Sequence, residues 1–455
     1  MKFIARIVLL ILLMGLFSSC SAAPGSDAPV TGSVLEERAR EFVTRMEAGQ
    51  YKEARQDFDT TMRLALSQKK LQDLWATLQE QAGTFDKQGE TRRETQGDYQ
   101  IVYVTCRFGL GALDVKVVFN SKGKISGLFF QPAADTTAMA PEYNPPSYAD
   151  VNEFYEEEVV VGSGEWQLPG TLTVPTGSGP FPVVVLVHGS GPNDRDESIG
   201  PNRVFKDLAW GLASRGIAVL RYEKRTREYA SRFTGDLMSS LTTQSEVIDD
   251  ALAAVSLLQT RPEINPERIY IVGHSLGATL APKIAEQDDQ VAGLVLLAGA
   301  TRPIEDLMLE QSTYLAHADG EIDKNEADQL AGLQGLVEQV KALPDQADID
   351  PDGLILGAAP AYWLDLLAYN PVATAEGLTL PMLILQGERD YQVTMTDFAA
   401  WEKIFSSRTN VTLKSYPALN HLFIAGLGPS LPAEYEVMGH VDALVIDDIA
   451  NWINQ

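Results

Sequence analysis

The chain has 455 residues, 45% of them hydrophobic and 22% charged, a composition that excludes wholesale disorder and suggests two or three domains. With 36 basic against 62 acidic side chains the formal charge is −26, which excludes polyanionic partners. Nucleic acid, or an anionic lipid surface, is held by clustered Lys and Arg that release counterions.

Met1–Phe17 opens with Lys2 and Arg6 and continues as an apolar run from Ile7 to Phe17. This is a secretory signal pattern, shorter than the ~20 residues of a membrane span. The signal is placed at 1–19. Its end, Leu16-Phe17-Ser18-Ser19-Cys20, resembles a bacterial lipobox, with Phe17 where an aliphatic residue is usual. On that reading Cys20 is lipidated and the protein is an exported lipoprotein of the bacterial cell envelope. The alternative is ordinary cleavage near Ala22 or Ala23 and a secreted or periplasmic protein. Contact with a membrane is then through acyl chains only. Cys106, in an apolar β-branched run, reads as a small buried hydrophobe.

After a tether at 21–32, the Ser33-Val34-Leu35-Glu36 capping box and the spacing of Leu35, Ala39, Phe42, Val43 and Met46 predict a helix ending at Gly49. Further helices are expected over Tyr51–Leu66 and Lys69–Ala82. The period then becomes strand-like over Thr84–Glu94, Tyr99–Phe108, Leu113–Phe119 and Lys124–Phe130. Three helices and a four-stranded meander make an α+β domain at 33–131. It contains no histidine. With Trp75 and Gly83 it resembles the DUF3887-type domain found ahead of some bacterial hydrolases, for which a cone-like fold related to nuclear transport factor 2 or cystatin is expected. A packing or substrate-gating role suits it better than catalysis.

The Pro/Ala/Thr/Asn-rich stretch 132–150 reads as a linker. From 151 to 455 strands alternate with helices, predicting an α/β domain with a mostly parallel sheet. Strands are expected over Val159–Gly162, Gly170–Val174, Val183–Val187, Ile217–Arg221, Arg268–Val272, Val291–Leu297, Pro381–Leu385 and Val411–Tyr416. Helices are expected over Val204–Arg215, Thr243–Gln259, Leu276–Glu286, Met395–Phe405 and Val437–Trp452. Residues 301–375 interrupt this alternation with acidic, helix-forming sequence and read as a lid.

Gly273-His274-Ser275-Leu276-Gly277 lies between a predicted strand and a predicted helix, the context of a nucleophile elbow. Glycines permit the sharp turn, and the helix N-terminus favours negative charge beside Ser275. A hydroxyl needs a base. Of five histidines, His274 lies within the elbow, His188 in a glycine-rich loop, His317 in the lid and His440 in the predicted terminal helix. His421, in the loop after the last strand, is the candidate. Asp390, in Gly387-Glu388-Arg389-Asp390, would orient it, with Glu388 in reserve. The order Ser275, Asp390, His421 is that of α/β-hydrolases. An oxyanion hole needs two backbone N–H donors: Leu276, and Ser190 or alternatively Gly189 in His188-Gly189-Ser190-Gly191-Pro192.

From about residue 153 onward the chain resembles bacterial serine hydrolases of the α/β-hydrolase superfamily, EstD-type carboxylesterases above all, with kinship to dienelactone hydrolases and serine aminopeptidases. The resemblance rests on His188–Asn202, Phe205–Thr226 and Gly273–Ala278; it departs at Glu223, usually Asp, and at Ala278, often Gly. It implies cofactor-free hydrolysis of short-chain esters, so the expected partner is a small-molecule ester. An aminopeptidase or amidase is the alternative, in which Glu305, Asp306 or Glu310 of the lid receives an amino group. A non-catalytic envelope binding protein is the third reading. Asp348, Asp350 and Asp352 imitate the start of an EF-hand, but position twelve is Ala359. No HExxH or Cys/His cluster suggests a metal.

Overall fold

A computed structural model describes residues 32–96, 99–109, 111–133, 143–318 and 320–455. The signal segment, Cys20 and most of the tether lie outside the described residues. The chain divides into two compact units, Met1–Pro141 and Glu142–Gln455.

In the first unit, helices α1 (Gly32–Glu47), α2 (Tyr51–Ala54), α3 (Thr60–Ala65) and α4 (Gln68–Ala82) precede strands β1 (Phe85–Gln96), β2 (Tyr99–Phe108), β3 (Gly111–Phe119) and β4 (Ile125–Pro132). The strands form an antiparallel meander in sequence order. The helical stripe Leu35, Ala39, Phe42, Val43 and Met46 is buried with Trp75 against Val102, Val104, Val115 and Val117, one face of the sheet. The helix expected over Tyr51–Leu66 is broken in two. Asp59 accepts a hydrogen bond from the Met62 N–H (2.8 Å), capping α3, and its own N–H donates to Ile125 O (2.9 Å).

The second unit is an α/β-hydrolase fold. Its strands are β5 (Phe154–Val161), β6 (Leu168–Pro175), β7 (Phe181–Val187), β8 (Ala218–Tyr222), β9 (Ile264–His274), β10 (Val291–Leu297), β11 (Met382–Gly387) and β12 (Val411–Tyr416). Across the sheet the order is β12-β11-β10-β9-β7-β8-β6-β5. The strands from β7 to β12 run parallel, and β5–β6 is an antiparallel hairpin at one edge. The pleat sends Val183, Val185 and Val187 into one core and Val184 and Leu186 into the other. Burial on both faces explains the unbroken apolar strands. Helices α5 (Val204–Ala213), α6 (Asp249–Gln259) and α7 (Leu276–Gln287) are followed by the lid helices α8 (Ile304–Ala316), α9 (Lys324–Ala342), α10 (Pro360–Leu367) and α11 (Pro371–Gly377). Helices α12 (Met395–Phe405) and α13 (Ala443–Ile453) complete the domain.

Three local expectations change. Residues 143–150 are not a free linker: Tyr143 Oη donates to Asp207 Oδ1 (2.6 Å) and Asp150 N donates to Ser214 Oγ (2.9 Å). The helix expected from Thr243 begins as a π-turn over Gln244–Ile248. The terminal helix starts only after Asp442, whose carboxylate caps the Leu444 N–H; His440 therefore lies outside it and pairs with Asp207 at 3.0 Å.

Candidate active site

Strands β7 and β9 are neighbours, with Val187 opposite Gly273, so the loops leaving them emerge side by side. This brings His188–Pro192 against the elbow. At Ser275 the backbone takes φ 54° and ψ −117°, a strained conformation held by Ser275 N donating to Leu297 O (2.9 Å). The flanking glycines are required sterically. A Cβ on Gly273 would lie 2.3 Å from Gly277 O, and one on Gly277 would lie 2.1 Å from Val187 O. Ser275 and Leu276 line a cavity of about 840 Å³ together with Ser190 and with Ile304, Met308 and Trp363 of the lid.

The loop after β11 carries Asp390 and the loop after β12 carries His421; Arg389 N donates to Leu419 O (3.0 Å), tying the two together. His421 Nδ1 donates to Asp390 Oδ2 (2.7 Å), with the residues 4% and 5% exposed. The other Asp390 oxygen accepts from the N–H groups of Gln392 (2.7 Å) and Val393 (3.0 Å), and Gln386 Nε2 donates to Oδ2 (3.1 Å). Four donors thus fix the carboxylate. Glu388, the reserve, is exposed and accepts from Ser415 Oγ instead. His421 O faces His274 Nε2 at 2.9 Å, and the two imidazole rings are 4.8 Å apart, which places His421 beside the elbow.

The oxyanion-loop expectation needs one correction. The Gly189 N–H is already committed to Glu197 Oε1 at 2.7 Å, so it has no free donor for a substrate. Among the described residues the Ser190 N–H donates to no other group, and Leu276 N heads a helix, where the first N–H groups have no intrahelical acceptor. The Gly189 carbonyl accepts from Lys224 Nζ (2.9 Å) and Asn193 Nδ2 (3.1 Å), clamping that peptide from both sides.

Glu197 is the residue of this cluster that the sequence did not single out. It lies in the charged loop 193–197, whose groups on sequence alone could equally border the pocket or be solvated; it is 1% exposed, with φ 47°. Its Oε2 lies 2.9 Å from His274 Nδ1. Burial works against both charges. The His274 charge and hydrogen bond outweigh it and lower the Glu197 pKa; Glu197 in turn holds His274 above its ordinary value. Burial pushes His188 the other way, down to about 4. His317 is exposed on the lid and bonded to its own helix.

Of the lid carboxylates, Asp306 pairs with Lys341 and Glu310 with Arg302. Glu305 is 1% exposed in the cavity wall, its Oε1 has no hydrogen-bond partner among the described residues, and burial raises its pKa. Asp350 only closes its own turn, and no group of potential metal ligands occurs among the described residues.

Comparison with known proteins matches residues 39–128 to the family described as "Protein of unknown function (DUF3887)" and residues 179–425, more than half of the chain, to "Serine aminopeptidase, S33". Esterase EstD of Thermotoga maritima is 40% identical over 422 residues, spanning 92% of this chain and 95% of its own. Among solved structures, Est1E from Butyrivibrio proteoclasticus is 16% identical with a TM-score of 0.41, over 66% of this chain and 99% of that one. An esterase of Pyrococcus furiosus is 17% identical with a TM-score of 0.41, over 68% and 97%. The chain therefore belongs to the S33-type serine hydrolases of the α/β-hydrolase superfamily, in the group that includes EstD, and carries a DUF3887 domain ahead of its hydrolase fold.

Proposed function

We propose that this protein is a carboxylesterase acting on esters of short acyl chain, with Ser275 as nucleophile, His421 as base and Asp390 as its orienting partner. The observation that carries the reading is the buried 2.7 Å bond from His421 to Asp390 beside a strained elbow whose serine faces the cavity. Ser275 Oγ attacks the ester carbonyl carbon while its proton passes to His421 Nε2. The N–H groups of Leu276 and Ser190 hold the oxyanion. The intermediate collapses, and the alcohol leaves with the proton from His421. Water then attacks the acyl-enzyme, giving its proton to His421; the carboxylic acid departs and Ser275 regains its hydrogen. The cavity falls in the range for drug-sized ligands, so room beyond a short acyl chain goes to the alcohol portion.

One observation favours a second reading, amide or aminopeptide cleavage by the same site: the unpartnered Glu305 oxygen in the cavity wall could receive an ammonium. The test is hydrolysis of p-nitrophenyl acetate, butyrate and octanoate beside an aminoacyl-arylamide, by wild type and by Ser275→Ala. Ester turnover that falls with chain length and disappears in the variant is the expected result. Arylamide turnover alone would replace the esterase reading, and turnover retained by Ser275→Ala would remove Ser275 from its role. We also propose export with Cys20 lipidated. Radiolabelled palmitate incorporation that is lost in Cys20→Ala is expected; equal labelling of both would refute it.

A further inference from the structure

Glu197, His274 and Gly189 form a closed polar unit around which three separate loops meet. His274 Nε2 faces the His421 carbonyl oxygen at 2.9 Å, and a carbonyl can only accept, so Nε2 carries a hydrogen. His274 Nδ1 faces Glu197 Oε2 at 2.9 Å, while Glu197 Oε1 accepts from the Gly189 N–H at 2.7 Å. A single proton lies in the contact between imidazole and carboxyl. Its location follows from ordinary acidities, about 6.5 for imidazolium against about 4.3 for a Glu carboxyl. The Gly189 N–H, donating to the carboxylate, adds to that preference. His188 also faces Glu197, and Asp390 and His421 face His274.

We infer that Glu197 and His274 are an ionised pair, with both ring nitrogens of His274 protonated, that positions the oxyanion loop and the base loop against the nucleophile. Neither residue is catalytic; each acts through a neighbour. Glu197 pins the Gly189 N–H, and this sets the direction of the next peptide N–H, that of Ser190. His274 immediately precedes Ser275 in the elbow and holds the backbone of His421. One buried pair thereby fixes the relative placement of oxyanion donor, nucleophile and base, which otherwise sit at the ends of β7, β9 and β12. Placement of this kind acts on the transition state more than on substrate binding.

This inference rests on the roles proposed above for Ser190, Ser275 and His421, and its test separates the two. The full chain is labelled with ¹⁵N-histidine, and the ring protons of His274, assigned by their loss in His274→Gln, are counted from about pH 6 to about pH 9. Two ring protons throughout are expected. In Glu197→Gln, His274 should lose one of them near neutrality. With p-nitrophenyl butyrate kcat should fall about 10- to 100-fold, with KM within about threefold, and Glu197→Asp should recover part of the loss. A single ring proton in the wild type, or Glu197→Gln with kcat within about twofold of wild type, would overturn the inference. If Glu197→Gln does not fold by circular dichroism, the wild-type proton count decides alone. If the wild type cleaves no ester, the esterase reading fails while the ionised pair is still judged by its protons.

Discussion

The floor of the cavity and the lid above it handle charge in opposite ways. At the floor, ionisable groups are buried and paired with one another: His421 with Asp390, His274 with Glu197, and Lys224 with Glu246 at 3.4 Å. In the lid the ion pair Asp306–Lys341 lies toward solvent, the interior is the apolar set Val337, Val340, Leu343, Leu356 and Trp363, and the buried carboxylate Glu305 is left without a partner on Oε1 among the described residues. Buried pairs have few alternative geometries, because breaking one leaves an uncompensated charge. An apolar interior tolerates rearrangement provided volume is kept. The floor is thus suited to holding reacting groups in place, and the lid to shaping what reaches them. Substitutions below should act on kcat and on folding, and substitutions above on substrate preference.

The largest effect is expected at Asp390. Asp390→Asn keeps the size of the side chain but allows His421 the wrong tautomer, so kcat should drop about 10⁴-fold, and the melting temperature should fall as well because the new NH2 group faces the Gln386 donor. Steady-state ester kinetics and a thermal melt check it; a loss below about tenfold would remove Asp390 from the base's support. Next is Gly277→Ala. Its Cβ would meet Val187 O at 2.1 Å and His188 O at 2.7 Å, both backbone atoms that cannot step aside. A cost above about 4 kcal/mol is expected, read as loss of soluble, cooperatively melting protein.

The same contrast explains what the sequence made legible. Ser275, Asp390 and His421 each lie in a loop just after a strand, so chain order was enough to put them at one end of the sheet, while Glu388 stood beside Asp390 until their hydrogen bonds were known. The Glu197–His274 pair needs β7 beside β9, a fact of strand order that no local motif contains. For that reason Gly189 stood as an alternative oxyanion donor until the partner of its N–H was known. Elsewhere, apolar spacing carried the expected helices past their true ends. At Asp59 and Asp442 a carboxylate capping the next turn outweighed periodicity, and both are residue types that favour that position.

His188 tests the floor through pH. It is 2% exposed, its Nε2 donates to Asp194 O (3.0 Å), and its pKa is pushed down to about 4. Because the folded value lies below the unfolded ~6.5, its contribution is fully present above pH ~6.5 and is lost as pH falls toward ~4. That interval corresponds to roughly 3 kcal/mol. Urea unfolding at about pH 7 and about pH 4.5 should show wild-type stability falling more steeply than that of His188→Gln. Equal slopes would mean that folding leaves the acidity of the imidazole unchanged.

At the lid, Glu305→Leu should leave Ser275 chemistry intact and change selection. Removing a buried oxygen without a partner favours plain alkyl esters over substrates bearing an ammonium or hydroxyl. The ratio of kcat/KM for an alkyl ester to that for its amino-substituted counterpart should rise about tenfold. An unchanged ratio would mean that Glu305 does not face the substrate.

The smallest effect has the opposite sign and gives the sharpest contrast with Gly277. Gly332 lies within the lid helix α9, exposed, with nothing within 4 Å of where a Cβ would stand. There the glycine satisfies no turn and permits no close approach; it only widens the freedom of the unfolded chain and weakens the helix. Gly332→Ala should therefore stabilise the fold by about 0.5–1 kcal/mol, read in urea unfolding, with ester kinetics unchanged. The same atom added to the same residue type would abolish the fold at the floor and strengthen it in the lid. If Gly332→Ala instead slows ester turnover without loss of stability, α9 must flex during the catalytic cycle, and the lid would carry a dynamic role as well as a shaping one.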